Sequence, residues 1–238
     1  MTAPRLWFVV PAAGCGQRML CEFPKQYLRL AGRSMLDWTL SRCLEVPQVE
    51  AVLVCTGSED QLFAQQSLAG HPRVRRVAGG AERAHSVLNG LRALKGQAAA
   101  DDVVLVHDAA RPLLSLADAQ AVVAAVRAGQ GAVLAQPVAD TLKRAGADGL
   151  VVGTEPREGL WQAQTPQAAP YAVLLEAMEA AVAGAAAGKT ELPTDEAMAL
   201  EQAGVPVCLV AASQPNFKLT TPADLGLAEA LLQAQGAA

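Results

Sequence analysis

Residues 6–26 read LWFVVPAAGCGQRMLCEFPKQ and carry the features from which the fold is predicted. The apolar run Leu6–Val10 predicts a first strand that is buried on both faces. Gly14 and Gly16 follow where this strand ends, and glycine lets backbone N–H groups approach a ligand closely. A strand that runs into a glycine-containing loop therefore indicates a phosphate-binding turn.

Two cations follow these glycines at once. Arg18 comes two residues after Gly16, and Lys25 stands between Pro24 and Gln26. Cations beside such a loop can neutralise the charge that develops on phosphate oxygens during a reaction. The simpler alternative is a tight strand-to-helix turn with two solvated cations, since Arg and Lys are mostly exposed in proteins.

Two common phosphate-binding loops do not fit the stretch. The dinucleotide fingerprint requires a third glycine at the position of Met19. The P-loop requires Gly-Lys followed by Ser or Thr, which Arg18 and Met19 do not supply. The loop therefore indicates a phosphate-binding protein outside both classes.

Composition sets the class of protein. The chain has 238 residues, of which 52% are hydrophobic and 18% charged, so it can build a large α/β core. The formal net charge of −4 and the lack of a basic tail argue against a nucleic-acid partner. No apolar run approaches the roughly 20 residues of a membrane span, so no membrane partner is expected. The five scattered cysteines show neither zinc spacing nor a disulfide framework, which indicates a reducing cytoplasm.

Strand and helix patterns alternate along the chain. This alternation predicts an α/β fold, a Rossmann-like, mostly parallel sheet with helices on both faces, in one domain over residues 1–238. Beyond the first strand, the patterns predict strands at 49–55, 74–78, 103–106, 132–136, 160–164, 205–210 and 217–219. They predict helices at 34–44, after Ser58, and at 82–94, 116–126, 171–183, from 194 and from 221.

Residues 138–153 break this alternation. Two short arms flank a glycine-bearing turn, which predicts a β-hairpin. The hairpin is too polar to be core, so we expect it to project from the domain, unless it is a mobile surface loop. The small residues 184–189 are the best linker candidate.

Two further motifs lie where ligands bind in such sheets. Residues 106–112 read VHDAARP directly after a predicted strand, and the carboxyl ends of parallel strands hold the ligand. Asp108 can orient a metal or a hydroxyl and Arg111 can clamp a phosphate, although an ordinary ion pair is the simpler reading. His107 is expected to be buried packing. Residues 79–86, GGAERAHS, offer paired glycines and the Ser86 hydroxyl for reading a base edge, or simply a turn that caps a helix.

These motifs together resemble the 2-C-methyl-D-erythritol 4-phosphate cytidylyltransferase family. The resemblance covers Val10 to Leu232 and includes PKQY at 24–27, PVADTLKR at 137–144, QTPQ at 164–167, TDEA at 194–197 and NFKLT at 216–220. The sequence departs from a common form of the family's base-recognition loop at Ala81 and His85, where acids often occur.

The resemblance implies a set of site residues. Those implied for catalysis are Arg18, Lys25 and Lys218. Those implied for nucleotide binding are Ala12, Ala13, Gly14, Gly16, Gly80, Ser86, Asp108 and Ala109. Those implied for the second substrate are Arg111, Thr141, Arg157, Thr165 and Thr194.

The resemblance also implies the reaction and the assembly. CTP and methylerythritol phosphate would give the cytidine-diphospho product and pyrophosphate, with Mg²⁺ bound mainly through the CTP phosphates. A homodimer is implied, in which an arm at about residues 138–156 delivers Arg157 to the partner's site. Two alternatives stay open: another cytidylyltransferase such as the ribitol phosphate type, or a regulatory module that binds nucleotide without turnover.

Overall fold

The computed structural model describes residues 4–14 and 24–234. Its strands are β1 Leu6–Pro11, β2 Arg29–Leu30, β3 Arg33–Ser34, β4 Val49–Thr56, β5 Val74–Ala78, β6 Val103–Val106, β7 Gly131–Pro137, β8 Leu142–Ala145, β9 Val151–Glu155, β10 Trp161–Pro170 and β11 Val207–Ala211. Its α-helices are α1 Met35–Glu45, α2 Arg83–Ala93, α3 Leu116–Ala125, α4 Tyr171–Ala186, α5 Glu196–Gln202 and α6 Pro222–Ala234.

A seven-stranded sheet organises the chain in the order β11-β7-β10-β6-β1-β4-β5. Every neighbouring pair is parallel except those of β10, which runs antiparallel to both β6 and β7. The predicted mostly parallel sheet is therefore confirmed. The central strands β1, β4 and β6 are buried because helices cover both faces of the sheet, whereas the edge strands β5 and β11 are largely exposed or half-buried.

Alternate residues of β1 show the two layers. Phe8 and Val10 belong to the apolar cluster that contains α1 and α3 side chains. Trp7 and Val9 belong to the cluster that contains side chains of α2, α4 and α5. Because successive strand residues point to opposite faces, an uninterrupted apolar run is needed to fill both layers.

Local capping explains where several helices begin. The Ser34 hydroxyl accepts the Asp37 N–H at the start of α1, as the sequence predicts. The helix predicted after Ser58 is wrong: only a 3-10 turn, Phe63–Gln65, forms there. Carboxylates hold this segment instead, since Asp60 accepts the Leu62 and Phe63 N–H groups and Asp37 accepts those of residues 67 and 68.

Two other expectations are wrong. The predicted linker at 184–189 is partly helical, because α4 continues to Ala186 on its own alanine-rich sequence. Residues 217–219 form no strand: this segment lies beside the sheet, where the Leu219 N–H donates to the Ala110 carbonyl oxygen. Leu219 is nevertheless buried, which explains its apolar pattern.

The predicted hairpin is confirmed, with β8 and β9 antiparallel. Its tip is less polar than predicted, because it carries the apolar residues Leu150, Val151 and Val152, which are 67%, 64% and 64% exposed. After the hairpin, β10 runs six residues beyond its predicted end at Gln164 and reaches the centre of the sheet. Within the described residues, no helix is long and apolar enough to cross a membrane.

Candidate active site

A cavity of about 510 Å³ lies at the carboxyl ends of β1 and β6. The end of β1, the start of α2, the segment after β6 and a stretch before α6 form its walls. Nine of the residues predicted for catalysis or nucleotide binding line it: Ala12, Ala13, Gly14, Lys25, Gly80, Ser86, Asp108, Ala109 and Lys218. The other two, Gly16 and Arg18, lie outside the described residues.

At this cavity, the Lys25 segment contacts both the end of β1 and the stretch before α6. The Gln26 side-chain amide donates to the Ala12 carbonyl oxygen at 2.6 Å and so fixes the segment to the end of β1. The Lys25 ammonium group donates to the Leu219 carbonyl oxygen at 2.9 Å. Since Leu219 directly follows Lys218, both predicted catalytic lysines are anchored on the same wall.

The loop 79–86 forms the opposite wall, and its glycines are required by close packing. A Cβ on Gly79 would lie 2.6 Å from the Cβ of Ala13 and 3.0 Å from the Thr56 carbonyl oxygen. The Ser86 hydroxyl accepts the Gly80 N–H at 3.0 Å. Ser86 therefore holds the loop in shape in addition to lining the cavity.

Asp108 is the electrostatic centre of the site. Its Oδ1 lies 3.1 Å from Arg83 Nε, and its Oδ2 lies 3.0 Å from Lys218 Nζ and 3.5 Å from Arg111 Nε. Burial alone would raise the pKa of Asp108, but these cations, Arg83 foremost, hold it well below its usual range. Asp108 and Arg111 therefore form an ion pair, and Asp108 lines the cavity as well.

Sequence reasoning missed the partner that completes this network. Arg83 donates to both carboxylate oxygens of Glu196 at 2.7 and 2.9 Å. Burial raises the pKa of Glu196, and the Arg83 guanidinium opposes that rise. Nothing local marks this pair, because Arg83 reads as a first-turn helix residue and Glu196 as an ordinary acid after a cap. The two are 113 positions apart.

The family model described as 2-C-methyl-D-erythritol 4-phosphate cytidylyltransferase matches residues 6–234. The chain belongs to this family. It is 47% identical to the cytidylyltransferase of that name from Aeromonas hydrophila over 234 residues, which cover 98% of this chain and 92% of that protein. It is 50% identical to the one from Stenotrophomonas maltophilia over 230 residues, with 95% and 96% covered. The solved cytidylyltransferase structure from Francisella tularensis matches with a TM-score of 0.81 at 31% identity, over 96% of this chain and 100% of that one.

Two residues expected for the cytidylyltransferase's second substrate are buried beside the cavity. Arg111 donates from Nη1 to the Asn216 carbonyl oxygen at 2.6 Å. The Thr165 hydroxyl accepts the Asp108 N–H at 3.1 Å and lies 2.8 Å from His107 Nδ1. Burial lowers the pKa of His107 to about 4, so its ring is neutral at pH 7. His107 Nε2 lies 3.0 Å from the Arg111 carbonyl oxygen, so the predicted buried packing role is confirmed.

The three remaining candidates are exposed and do not line the cytidylyltransferase cavity. Thr141 precedes β8 and Arg157 follows β9, so both belong to the hairpin region. The Arg157 guanidinium donates to the Ala139 carbonyl oxygen, which holds it along the arm. Thr194 lies just before α5, where its hydroxyl contacts the sulfur of Met198. Within one chain, these three side chains are not brought to the nucleotide cavity.

Proposed function

We propose that this chain transfers the cytidylyl group of CTP to 2-C-methyl-D-erythritol 4-phosphate and releases pyrophosphate, a step of the non-mevalonate isoprenoid pathway. Membership of the family supports the reaction. The observation in this chain that supports the reaction is that Lys25, Lys218 and the loop 79–86 line the same cavity. We propose that residues 1–238 form one nucleotidyltransferase domain.

The chemistry needs charge stabilisation and positioning more than proton transfer. A phosphate oxygen of the second substrate forms a bond to the α-phosphorus of CTP, and the bond from that phosphorus to the β-phosphate bridging oxygen breaks. The attacking oxygen is already an anion, so no general base is required, and pyrophosphate leaves with the electron pair. Lys25 and Lys218 neutralise the charge on the phosphoryl oxygens, as is general for phosphoryl transfer.

We assign each group of residues to one part of the substrates, according to where the residues lie in the site. Gly14, with Gly16 and Arg18, holds the triphosphate, while Ala12, Ala13 and Ala109 shape the floor. The tight packing of Gly79 against Ala13 suits a pyrimidine read by backbone groups, so CTP is preferred over purine triphosphates. Arg111, Thr165, Thr194, Thr141 and Arg157 are assigned to the second substrate.

Mg²⁺ is proposed to bind mainly through the CTP phosphates. Among residues 4–14 and 24–234, no three His, Cys, Asp or Glu side chains are grouped as metal ligands. Asp108 faces the cavity, but both of its oxygens already accept from cations. This arrangement fits an ion held by substrate oxygens, with Asp108 at most a partner through water. When bound, the ion would neutralise the leaving pyrophosphate.

A single assay separates this proposal from its alternatives. Pyrophosphate release is measured with each of the four nucleoside triphosphates and with methylerythritol, ribitol and other polyol phosphates. The proposal expects release only with CTP, and fastest with methylerythritol phosphate. Preference for ribitol phosphate would identify the other cytidylyltransferase type. Tight CTP binding without any release would identify a regulatory module.

We propose a homodimer in which the arm at about 138–156 crosses to the partner. Two features support it: the exposed apolar tip, Leu150 to Val152, and the placement of Arg157 outside its own chain's cavity. A twofold contact would cover the tip and deliver Arg157 to the partner's active site.

The test mixes Arg157→Ala subunits with Lys25→Ala subunits after joint unfolding and refolding. Each variant alone should be nearly inactive. In a mixed dimer, one site combines the intact Lys25 with the intact Arg157 of the other chain. Random pairing should then restore roughly a quarter of wild-type activity. No recovery in mixed dimers confirmed by mass would show that Arg157 serves its own chain.

We also propose that the protein works in a reducing cytoplasm. Cys43, Cys55 and Cys208 are free thiols in the structure.

A further inference from the structure

A chain of four charges leads from a fully buried acid to the cavity. Glu196 is 0% exposed and binds both Nη atoms of Arg83. The third nitrogen of the Arg83 guanidinium, Nε, donates to Asp108 Oδ1 at 3.1 Å. Asp108 Oδ2 in turn lies 3.0 Å from Lys218 Nζ. The charges therefore alternate in sign from Glu196 to the predicted catalytic lysine.

The position of Glu196 is not explained by helix capping. Asp195 caps α5, because its Oδ1 accepts the Met198 N–H at 2.9 Å. Glu196 is the first residue of α5, yet its side chain is directed away from water into an ion pair. Burying a carboxylate in this way is costly unless a partner compensates, and such a pair is weak evidence for a stabilising role. The geometry is better explained by what the pair does to Arg83.

Arg83 contacts the two carboxylates in different ways: two bonds go to Glu196 and one goes to Asp108. With Glu196 holding both Nη atoms, Arg83 reaches Asp108 through Nε alone and leaves Oδ2 to Lys218. Without Glu196, the two Nη atoms would be free to bind Asp108 or the substrate phosphates, because a guanidinium binds carboxylates and phosphates in bidentate fashion. Either change would displace Lys218 from its present position.

We infer that Glu196 is a positioning residue, which holds Arg83 so that Asp108 keeps Lys218 in place for the transferred phosphoryl group. This inference rests on the proposed function. Glu196 does not line the cavity and touches no substrate in this arrangement; it acts through Arg83. The same contact ties α5 to the first residue of α2, next to the loop that is assigned to the base.

The main test is Glu196→Gln, which keeps the shape of the side chain and removes its charge. We expect kcat to fall about 10- to 100-fold, the effect of a small misplacement of a reacting group. The KM for CTP and the calorimetric Kd for CTP should not rise, because the cavity loses no cation. A fall in kcat with CTP binding retained indicates an interaction that matters in the transition state.

Asp102→Asn is the matched structural control. Asp102 is also buried, and accepts from Trp7 Nε1 and from the Arg5 N–H, both at 3.0 Å. It lies at the amino end of β6, away from the cavity. Its loss should lower the unfolding midpoint without changing kcat per folded, CTP-binding site. An equal loss of kcat in both variants would overturn the positioning role.

A double-mutant cycle with Arg83→Gln tests the route. If Glu196 acts through Arg83, adding Glu196→Gln to Arg83→Gln should change kcat by less than about twofold, because coupled residues are non-additive. The double variant removes one positive and one negative charge together, so the net charge of the site is unchanged and neither buried charge is left without its partner. Independent, multiplicative losses would overturn the inference.

An Nε–H NMR signal of Arg83 gives a readout that needs no activity. The signal reports the contact of Arg83 with Asp108, so it should be protected in the wild type, absent in Arg83→Gln and changed in chemical shift or protection in Glu196→Gln. A signal in Glu196→Gln that is identical to that of the wild type, or an unchanged kcat in that variant, would overturn the inference. Failure of the proposed function shows separately, as wild-type protein that releases no pyrophosphate from CTP and methylerythritol phosphate.

Discussion

The cavity wall and the hairpin arm are built on opposite principles. Around Asp108, the cations Arg83, Arg111 and Lys218 are held by a buried carboxylate of the same chain. On the arm, Thr141 and Arg157 are exposed and the apolar tip is open. The difference teaches that the wall around Asp108 is preorganised within one chain, whereas the roles proposed for Thr141 and Arg157 depend on what the arm contacts. The following experiments test that division.

The largest effect is expected at the preorganised wall. Lys25→Ala should lower turnover about 10²–10³-fold while the fold persists, because a fixed charge-stabilising donor is lost. Lys95→Ala, which removes an exposed cation in the turn after α2, is the control and should leave pyrophosphate release unchanged. Near-normal turnover of Lys25→Ala would contradict the assignment of the cavity.

The arm should respond differently. Changing Leu150 and Val152 together to Asp should dissociate the proposed dimer and lower turnover about 10²-fold, through loss of the partner's contribution to positioning. Sedimentation measures the dimer, and calorimetric CTP binding should persist because the cavity wall is intact. The control is Leu227→Asp on α6, where Leu227 is 56% exposed; it should change neither the dimerisation nor the turnover. A tip variant that remains dimeric and active would remove the tip from the interface.

Packing at the wall can be tested with two glycines of similar location. Gly79→Ala should lower the free energy of unfolding by up to about 3 kcal/mol and weaken CTP binding, since its Cβ meets Ala13 at 2.6 Å. Gly57→Ala has no atom within 4 Å of the new Cβ and should stay within about 0.5 kcal/mol of the wild type. Urea unfolding measures the free energy of unfolding of both variants. Equal values would show that the loop 79–86 can move to accommodate the new Cβ.

The smallest effect concerns pH. The pKa of His107 is lowered by burial from 6.5 to about 4, so the unfolded chain takes up a proton first as the pH falls. Stability from this group is complete above pH 6.5 and is lost towards pH 4, by about 2 kcal/mol between pH 7.5 and 5. His107→Gln, compared with the wild type, should flatten this part of the urea-unfolding profile. An unchanged slope in His107→Gln would place the proton uptake elsewhere.

Local signals predicted those elements whose cause is local. The bounds of β5 and β6 match their predictions, because Gly79 and Gly80 directly follow β5 and β6 is a short apolar run. Likewise, α1 begins where the Ser34 cap predicts. The helix expected after Ser58 failed because Asp37, from another element, takes the backbone N–H groups of residues 67 and 68. A contact with a residue so far away in the sequence does not alter the pattern of apolar residues within the segment, so the segment still looks helical.

The same limit applies within the site. Gly14, Lys25, Asp108 and Lys218 were found because each stands in a motif that the family resemblance identifies. Arg83 and Glu196 were missed, since each reads as an ordinary residue of a helix's first turn.

By itself, the sequence determined the alternating elements, the glycine loops and the identity of the charged groups, because backbone propensity and apolar periodicity act over a few residues. Only the tertiary structure decided which charges meet. Lys25 reaches Leu219 across 194 positions, and Arg83 reaches Glu196 across 113. Coulombic and hydrogen-bond energies depend on distance in space and on burial, and both are set only when the sheet brings its strand ends together.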